Sequence, residues 1–475
     1  MKKEKTIHIL RYGTVAEKNH LKKAFSAYDY LSINGNTAAF VSNAIAGFIV
    51  EKFFSNKEKG YFIDPITYAF QGNIDLLFSK AKNSNKNDIK KSIKKLIEIY
   101  GLSLEKIENR IPIIPEDFIS YEDKESFVDK ILSFQYNLVY NHINEQGLQK
   151  YLNYVAPEIS KNLPQFRPKF LIAPYFYLDL QSSNWKRWLS LNVEFIKLAI
   201  EKTNQNYKIP IFAQIVISKS LLCDDNALEV VIKSYSQLNC DGFTIWIDDF
   251  NEQESSSDEL LKFVKLLKGL NNKPVYNMYG GYFSILLTHK SVGLLSGVSH
   301  GLEYGESRMV YPVGGGIPVS KYYFFPIHQR LDFTKAYYLL EFEKIIDKEK
   351  DNWGDAKKYY NKICDCEQCK KVINNEMINF VEFESKEFYE VHRNGHVLRR
   401  KKASKETKQN CLYHYLLCKK KEFYIVGHKS IEELLNDLAK NRKIFINCNN
   451  LKENELNYIL NWEEVLRGKE ILIHE

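Results

Sequence analysis

The chain has 475 residues, 44% hydrophobic and 27% charged, which is ample for a sizeable core and ordinary for a globular protein. Sixty-seven basic against 59 acidic residues give a formal net charge of +8, a balance that permits a nucleic-acid partner without requiring one. No run approaches the roughly 18 apolar residues of a membrane span, and eight cysteines without framework spacing, behind a polar N-terminus, point to a reducing cytoplasm and away from a disulfide scaffold.

In chain order, a short apolar run at 7–10 leads into Arg11-Tyr12-Gly13-Thr14, a strand feeding a loop. Residues 37–53 predict one helix, with Phe40, Ala44, Phe48 and Phe53 at helix-like spacing. A short buried strand at 60–65 ends in Asp64 and Pro65. Residues 76–160 read as mostly amphipathic helix, with a solvated Lys/Asn-rich stretch at 80–95. From 168 the texture alternates: strands at 170–175, 209–216, 240–246, 273–278 and 292–299, and helices at 185–202, 227–238, 257–270 and 281–290. Strand–helix units of about 35 residues imply parallel strands joined by crossover helices. With the two early strands and a last one at 322–326, the count approaches eight and favours a (β/α)8 TIM-type barrel over an open doubly wound sheet. Gly314-Gly315-Gly316 precedes Ile317-Pro318 and reads as a flexible loop, not a phosphate cradle.

The expected organisation is a barrel over 1–345 with a helical insertion near 76–165, a zinc-binding subdomain over 346–425, and a small extension over 426–475. The extension is expected to hold a helix at 431–441, a strand at 443–446 and two further helices.

In a parallel barrel, reactive groups gather where strands end at their C-terminal side. Those ends carry Asp64, Tyr175, Tyr177, Gln214 and Ser218, then Asp248, Asp249 and Tyr279-Gly280-Gly281. The last loop carries Ser299, His300, Glu303 and Glu306, where two carboxylates and a histidine among small residues suit acid–base work. His289 and His328 read as structural, and the basic run Arg399-Arg400-Lys401-Lys402 as a solvated loop.

Cys364-Asp365-Cys366-Glu367-Gln368-Cys369 is a C-x-C-x-x-C knuckle, whose spacing lets three thiolates meet one zinc ion at about 2.3 Å. A fourth ligand is available from Cys411, His414 or Cys418, of which His414 and Cys418 share a helical face. A closed four-ligand site of this kind is structural.

A knuckle and a later histidine following a barrel resembles the tRNA-guanine transglycosylases, which exchange a guanine base for a 7-deazaguanine, and their DNA-modifying relatives. The resemblance implies that Cys364, Cys366, Cys369 and His414 hold a structural Zn2+, with 383–409 as an insertion. Residues 63–71, containing Asp64, are similar to the family's Asp-Ser-Gly-Gly-Phe-Gln loop, whose aspartate acts at the reacting nucleotide. Ala213-Gln214-Ile215 resembles the strand whose glutamine contacts the base, and 273–281 the segment before the nucleophile strand. The family's nucleophilic aspartate has no counterpart, because that strand ends Ser296-Gly297-Val298-Ser299-His300.

What the resemblance implies is a pentosyltransferase acting on tRNA or DNA with guanine or a 7-deazaguanine as the base. Asp64 would act at the reacting nucleotide, Gln214 would read the base edge, Tyr175 or Tyr177 would stack on it, and Gly280 and Gly281 would line the substrate. Glu303 or Glu306, with His300, would replace the missing aspartate, and residues 399–402 would hold phosphates. Two other readings stand beside it. One is an altered barrel that binds nucleic acid or a protein partner within a multi-protein system. The other is a nucleoside or sugar hydrolase using Glu303 and Glu306. A homodimer stays open.

Overall fold

The computed structural model of the chain describes residues 5–13, 17–53, 56, 58–79, 88–142, 166–270, 272–302, 305–311, 319–393, 396–448 and 453–468. Glu303, Gly314-Gly315-Gly316 and the stretch 143–165 lie outside the described residues.

Eight strands pair in parallel and in chain order. They are β1 (Ile7–Tyr12), β2 (Tyr30–Asn34), β3 (Gly60–Asp64), β4 (Leu171–Ile172), β5 (Ile211–Ile217), β6 (Gly242–Ile247), β7 (Val275–Asn277) and β8 (Gly297–Gly301). β8 returns to pair with β1, His300 standing opposite Leu10. Between β3 and β4 the Lys169 N–H donates to the Tyr61 carbonyl at 2.8 Å. The result is a nearly closed eight-stranded parallel barrel. Strands such as Ile211–Ile217 are apolar runs buried along their whole length, because helices cover the outside while side chains fill the inside.

Strand alternation sorts the inner from the outer face. Phe62 stacks on Phe170 with centroids 4.4 Å apart, Phe170 on Phe212 at 4.1 Å, and Phe212 on Tyr276 at 5.5 Å. These rings come from different walls, so they mark the inner face and plug the barrel. Asp64 lies two residues beyond Phe62 and Gln214 two beyond Phe212, so both stand on the inner face one layer nearer the C-terminal ends. Register puts Arg11 opposite Ser32 and Asn34 opposite Asp64, on that same face.

The structure corrects several sequence expectations. β2 was not expected, since Tyr30-Leu31-Ser32-Ile33-Asn34 is short and half polar, yet it is the eighth barrel strand. The strand at 322–326 is instead β9 (Tyr322–Phe324), which pairs antiparallel with β10 (Gln329–Leu331) outside the barrel. With β8 and β2 already on either side of β1, the sheet has no edge there for another strand to join. The single helix at 37–53 is two, Gly35–Phe40 and Ser42–Phe53, broken where Val41 leaves helical geometry. The polar stretch 383–409 holds a hairpin, β11 (Glu387–Arg393) with β12 (His396–Lys402), so the basic run is a strand and not a loop. At 443–446 helix Ile431–Phe445 continues, because Leu434, Leu435, Leu438 and Phe445 keep one buried helical face. Among the described residues the tail ends in one α-helix, Asn457–Arg467, whose Trp462 is fully buried and donates to the Glu252 carbonyl at 2.9 Å.

One long helix, Lys405–His428, ties these parts together. Ser404 caps it, its hydroxyl accepting from the Thr407 N–H at 3.0 Å. His414 and Cys418 face the cysteine knuckle, Tyr415 and Lys419 face the loop after β8, and Phe423 stacks on His8 of β1 with centroids 4.6 Å apart.

Candidate functional site

The inner face near the C-terminal strand ends gathers Asp64, Tyr175 and Gln214, three of the residues singled out from sequence. Asp64 is 2% exposed. Its Oδ1 accepts from the Tyr175 hydroxyl at 2.5 Å and from the Ile66 N–H at 3.1 Å. Ile66 makes that second bond from the left-handed region, at φ 49°, a conformation costly for a β-branched residue and typical of loops shaped for a task. Thr67 and Gln71 fix the loop further: Tyr175 N–H donates to Thr67 Oγ1 at 2.9 Å, and Tyr177 N–H to Gln71 Oε1 at 2.8 Å. Burial pushes the Asp64 carboxyl above its ordinary range, against the nearby charge of Arg11 and the two hydrogen bonds.

Aromatic rings surround this carboxylate. Tyr68 stacks beside Tyr175 with centroids 5.9 Å apart and meets Trp246 edge-on at 5.2 Å, while Trp246 lies 4.8 Å from Tyr279. The Arg11 guanidinium carbon is 5.2 Å from the Tyr279 centroid and that of Arg308 is 5.9 Å away. Gln214 is fixed at one end, where its Oε1 accepts from Thr244 Oγ1 at 2.7 Å. Tyr177 lies at the rim and donates to Asp248 Oδ2 at 2.7 Å; the other Asp248 oxygen accepts from the Val310 N–H at 2.6 Å. A carboxylate, a guanidinium, an amide and flat ring faces are what a site for a planar polar molecule contains.

The remaining candidates stand elsewhere. His300 points to the outer face of β8, where its Nε2 is 3.0 Å from Nε2 of His8 and its ring meets Tyr415. Burial lowers both imidazoles, His8 to about 4, so the pair shares one neutral hydrogen bond. Glu306 pairs with the buried Lys419 and accepts from the Tyr415 hydroxyl at 3.3 Å, also outside the barrel wall. Gly280 and Gly281 form the turn after β7. A Cβ at Gly281 would come 2.9 Å from Glu252 Oε2 and 3.2 Å from Glu306 Oε2, so this glycine admits two carboxylates and its N–H donates to Glu252 at 3.0 Å.

The knuckle and His414 form the second cluster. Their ligand atoms lie within 4.8 Å of one another, with His414 Nδ1 3.4 Å from Cys366 Sγ and 3.2 Å from Cys369 Sγ. Tetrahedral zinc with bonds of about 2.0–2.3 Å needs ligand separations of about 3.5 Å, so the donor set fits the ion in number, type and spacing. His414 Nε2 donates to the Tyr323 carbonyl at 2.6 Å, which fixes the tautomer that leaves Nδ1 free to bind metal. Tyr322 stacks on the imidazole at 4.5 Å, and the Tyr359 hydroxyl donates to Cys369 Sγ at 3.1 Å. Cys418 stands close behind, its Sγ 3.7 Å from that of Cys364, whereas Cys411 turns away toward the Phe383 carbonyl. The cluster could hold a metal ion such as zinc, with Cys364, Cys369 and His414 buried and Cys366 half-buried.

Sequence reading passed over Arg11, Tyr68 and Trp246. Arg11 was visible as a charge ending an apolar strand, and alternation from Ile9 would have aimed it inward; without the register there was nothing to separate it from a loop cation. Compared with protein-family models and with curated proteins, the chain has no match.

Proposed function

We propose that the chain is a TIM-type barrel of the transglycosylase kind that acts on a base in tRNA or DNA, with a structural zinc in its C-terminal subdomain. The observation that carries this reading is Asp64: a carboxylate on the inner face at the end of β3, held by Tyr175 and Ile66 and ringed by aromatic faces. Stacking faces of this kind take up an extruded base, and a carboxylate beside them can trap the sugar carbon as the base departs. Asp64 forms a bond to C1′, the glycosidic C–N bond breaks with its electron pair leaving on the base nitrogen, and the incoming base reverses the step. Glu306 is pinned by Lys419 and takes no part. The hairpin strand His396–Lys402 presents exposed cations for the phosphate backbone.

The test offers labelled guanine or 7-deazaguanine together with tRNA or duplex DNA. The expected result is incorporation into one polymer, reduced at least about 1,000-fold in Asp64→Asn and retained in Glu306→Gln. Because burial raises the Asp64 carboxyl and the nucleophile must be ionised, the acidic limb of kcat/KM should lie above the ordinary carboxylate range. No incorporation by folded, zinc-loaded protein would sink this reading. It would favour a barrel that binds without exchanging, a second reading motivated by Ser299, a hydroxyl where the family places its nucleophile.

A further inference from the structure

Arg11 keeps two buried donors without an acceptor. It is 4% exposed, and its Nε and Nη2 are sealed from solvent with no hydrogen-bond acceptor among the described residues. Against burial, the Tyr279 and Tyr68 hydroxyls and the carboxylates of Asp64 and Glu17 hold it charged, yet none accepts a hydrogen bond from Nε or Nη2. Buried guanidinium donors left without an acceptor are costly, and such groups persist where something else completes them. It is not alone. Ser32 Oγ, Asn34 Oδ1, Gln214 Nε2 and Ser299 Oγ are also buried without partners, and strand register turns all of them to the same inner face.

We propose that the barrel interior binds a planar heterocycle bearing a carboxylate, with Arg11 taking the carboxylate in a two-pronged fork. Gln214 Nε2 and the Ser32 and Ser299 hydroxyls supply hydrogen bonds for the ligand's edge, and Tyr68, Trp246 and Tyr279 supply its faces. The flat walls select a flat molecule. The acidic group is a carboxylate and not a phosphate because Asp64 stands nearby, and its charge repels a dianion about twice as strongly as a monoanion. Guanidinium and carboxylate match in plane and spacing, which a lysine at the same place would not reproduce. The proposal rests on reading the interior as the base site and adds which bases it prefers.

The experiment measures binding to the full zinc-loaded chain by calorimetry for two matched pairs, uracil with its 6-carboxylate and 7-deazaguanine with its 7-carboxylate. The carboxylated member of at least one pair should bind about 10- to 100-fold more tightly than its neutral partner. Arg11→Met should abolish the preference. Arg11→Lys keeps the charge without the fork and should lose most of the preference, which gives a second reading if the methionine variant does not fold. Equal binding within both pairs, or a preference that survives in Arg11→Met, would each overturn the proposal. So would inorganic phosphate that stabilises wild type as strongly as the carboxylates do, which would reassign Arg11 to phosphate. Base exchange is not the readout. A protein that prefers the carboxylates yet exchanges no base upholds this subsite and fails the transglycosylase reading, and exchange without the preference does the reverse.

Discussion

Arg11 and Lys419 are both cations shut away from water, one on the inner face of the barrel and the other between barrel and long helix. Lys419 is completely buried and fully engaged: it pairs with Glu306, lies 2.9 Å from Glu422 Oε2 and donates to the Tyr323 hydroxyl at 3.0 Å. Burial disfavours its charge, but Glu306 and Glu422 outweigh that and hold the ammonium above its ordinary value. Glu422 Oε1 in turn meets His328 Nδ1 at 2.6 Å, and the Tyr282 ring stacks on that imidazole at 3.4 Å. Arg11 has comparable burial and is likewise held charged by nearby carboxylates, Asp64 and Glu17, but its Nε and Nη2 reach no acceptor. Burial and charge together do not distinguish structure from function here. Hydrogen bonding does: Lys419 donates to acceptors of the protein itself, and Arg11 Nε and Nη2 reach none.

The cysteine cluster is the extreme of the partnered kind, and removing its ion should have the largest effect. Chelation, or Cys369→Ser, is expected to eliminate stoichiometric zinc and unfold the segment around the knuckle, because metal binding at such sites supplies about 10 kcal/mol or more of folding free energy. Metal analysis with circular dichroism checks it. Cys418→Ser sharpens the result, since Cys364, Cys366, Cys369 and His414 already make a closed set and zinc should stay. Next in size is Lys419→Met, which leaves Glu306 and Glu422 buried without their cation and should cost about 3–5 kcal/mol by urea unfolding. Adding Glu306→Gln and Glu422→Gln to that variant should recover much of the loss. If Lys419→Met alone were neutral, the seam would not be the rigid counterpart described above.

The barrel was legible because its strands are buried on both faces. Strands such as Ile211–Ile217 read as unbroken apolar runs separated by periodic helices, and helices Trp185–Lys202 and Ser257–Leu270 fall where apolar spacing put them. β2 was hidden because its inward positions are Tyr30, Ser32 and Asn34, which break the apolar run that marks the other strands. The knuckle was legible because its chemistry lies in local spacing, and Asp64 because Pro65 follows it at a strand end. Which residues meet across the barrel is a matter of register, and one residue of strand shift exchanges inside for outside. That is how His300 was grouped with the interior: its neighbour Ser299 faces inward while the imidazole faces His8. The pairing of Glu306 was hidden for a related reason, since its partner lies 113 residues further on in the chain, at Lys419.

Glu252 sits between the two kinds of region and gives the finest test. It is 2% exposed, and its Oε2 accepts from the Gly281 and Ser284 N–H groups at 3.0 and 3.2 Å while Oε1 meets the Ser284 hydroxyl. Burial raises its carboxyl from 4.5 to about 7, the two N–H groups and the hydroxyl oppose that, and the neighbouring charge of Glu306 adds to the rise. A folded-state value above the unfolded one means that the folded protein holds the extra proton. The stability this contributes is complete below about pH 4.5 and is lost as pH rises through 7. Glu252→Gln keeps the two accepted bonds, can donate to Ser284, and has no charge to bury. Its stability relative to wild type should therefore be nearly unchanged at pH 5 and higher at pH 8, by on the order of 3 kcal/mol at most. Differences between the two proteins cancel the titration of His8, which gains stability with rising pH and would mask the trend in wild type alone. Urea midpoints at the two pH values decide it. An equal midpoint difference at both would mean that Glu252 stays ionised in the fold, its charge held by the N–H groups of the β7 turn, and Gly281 would then mark an anion site instead of a neutral seam.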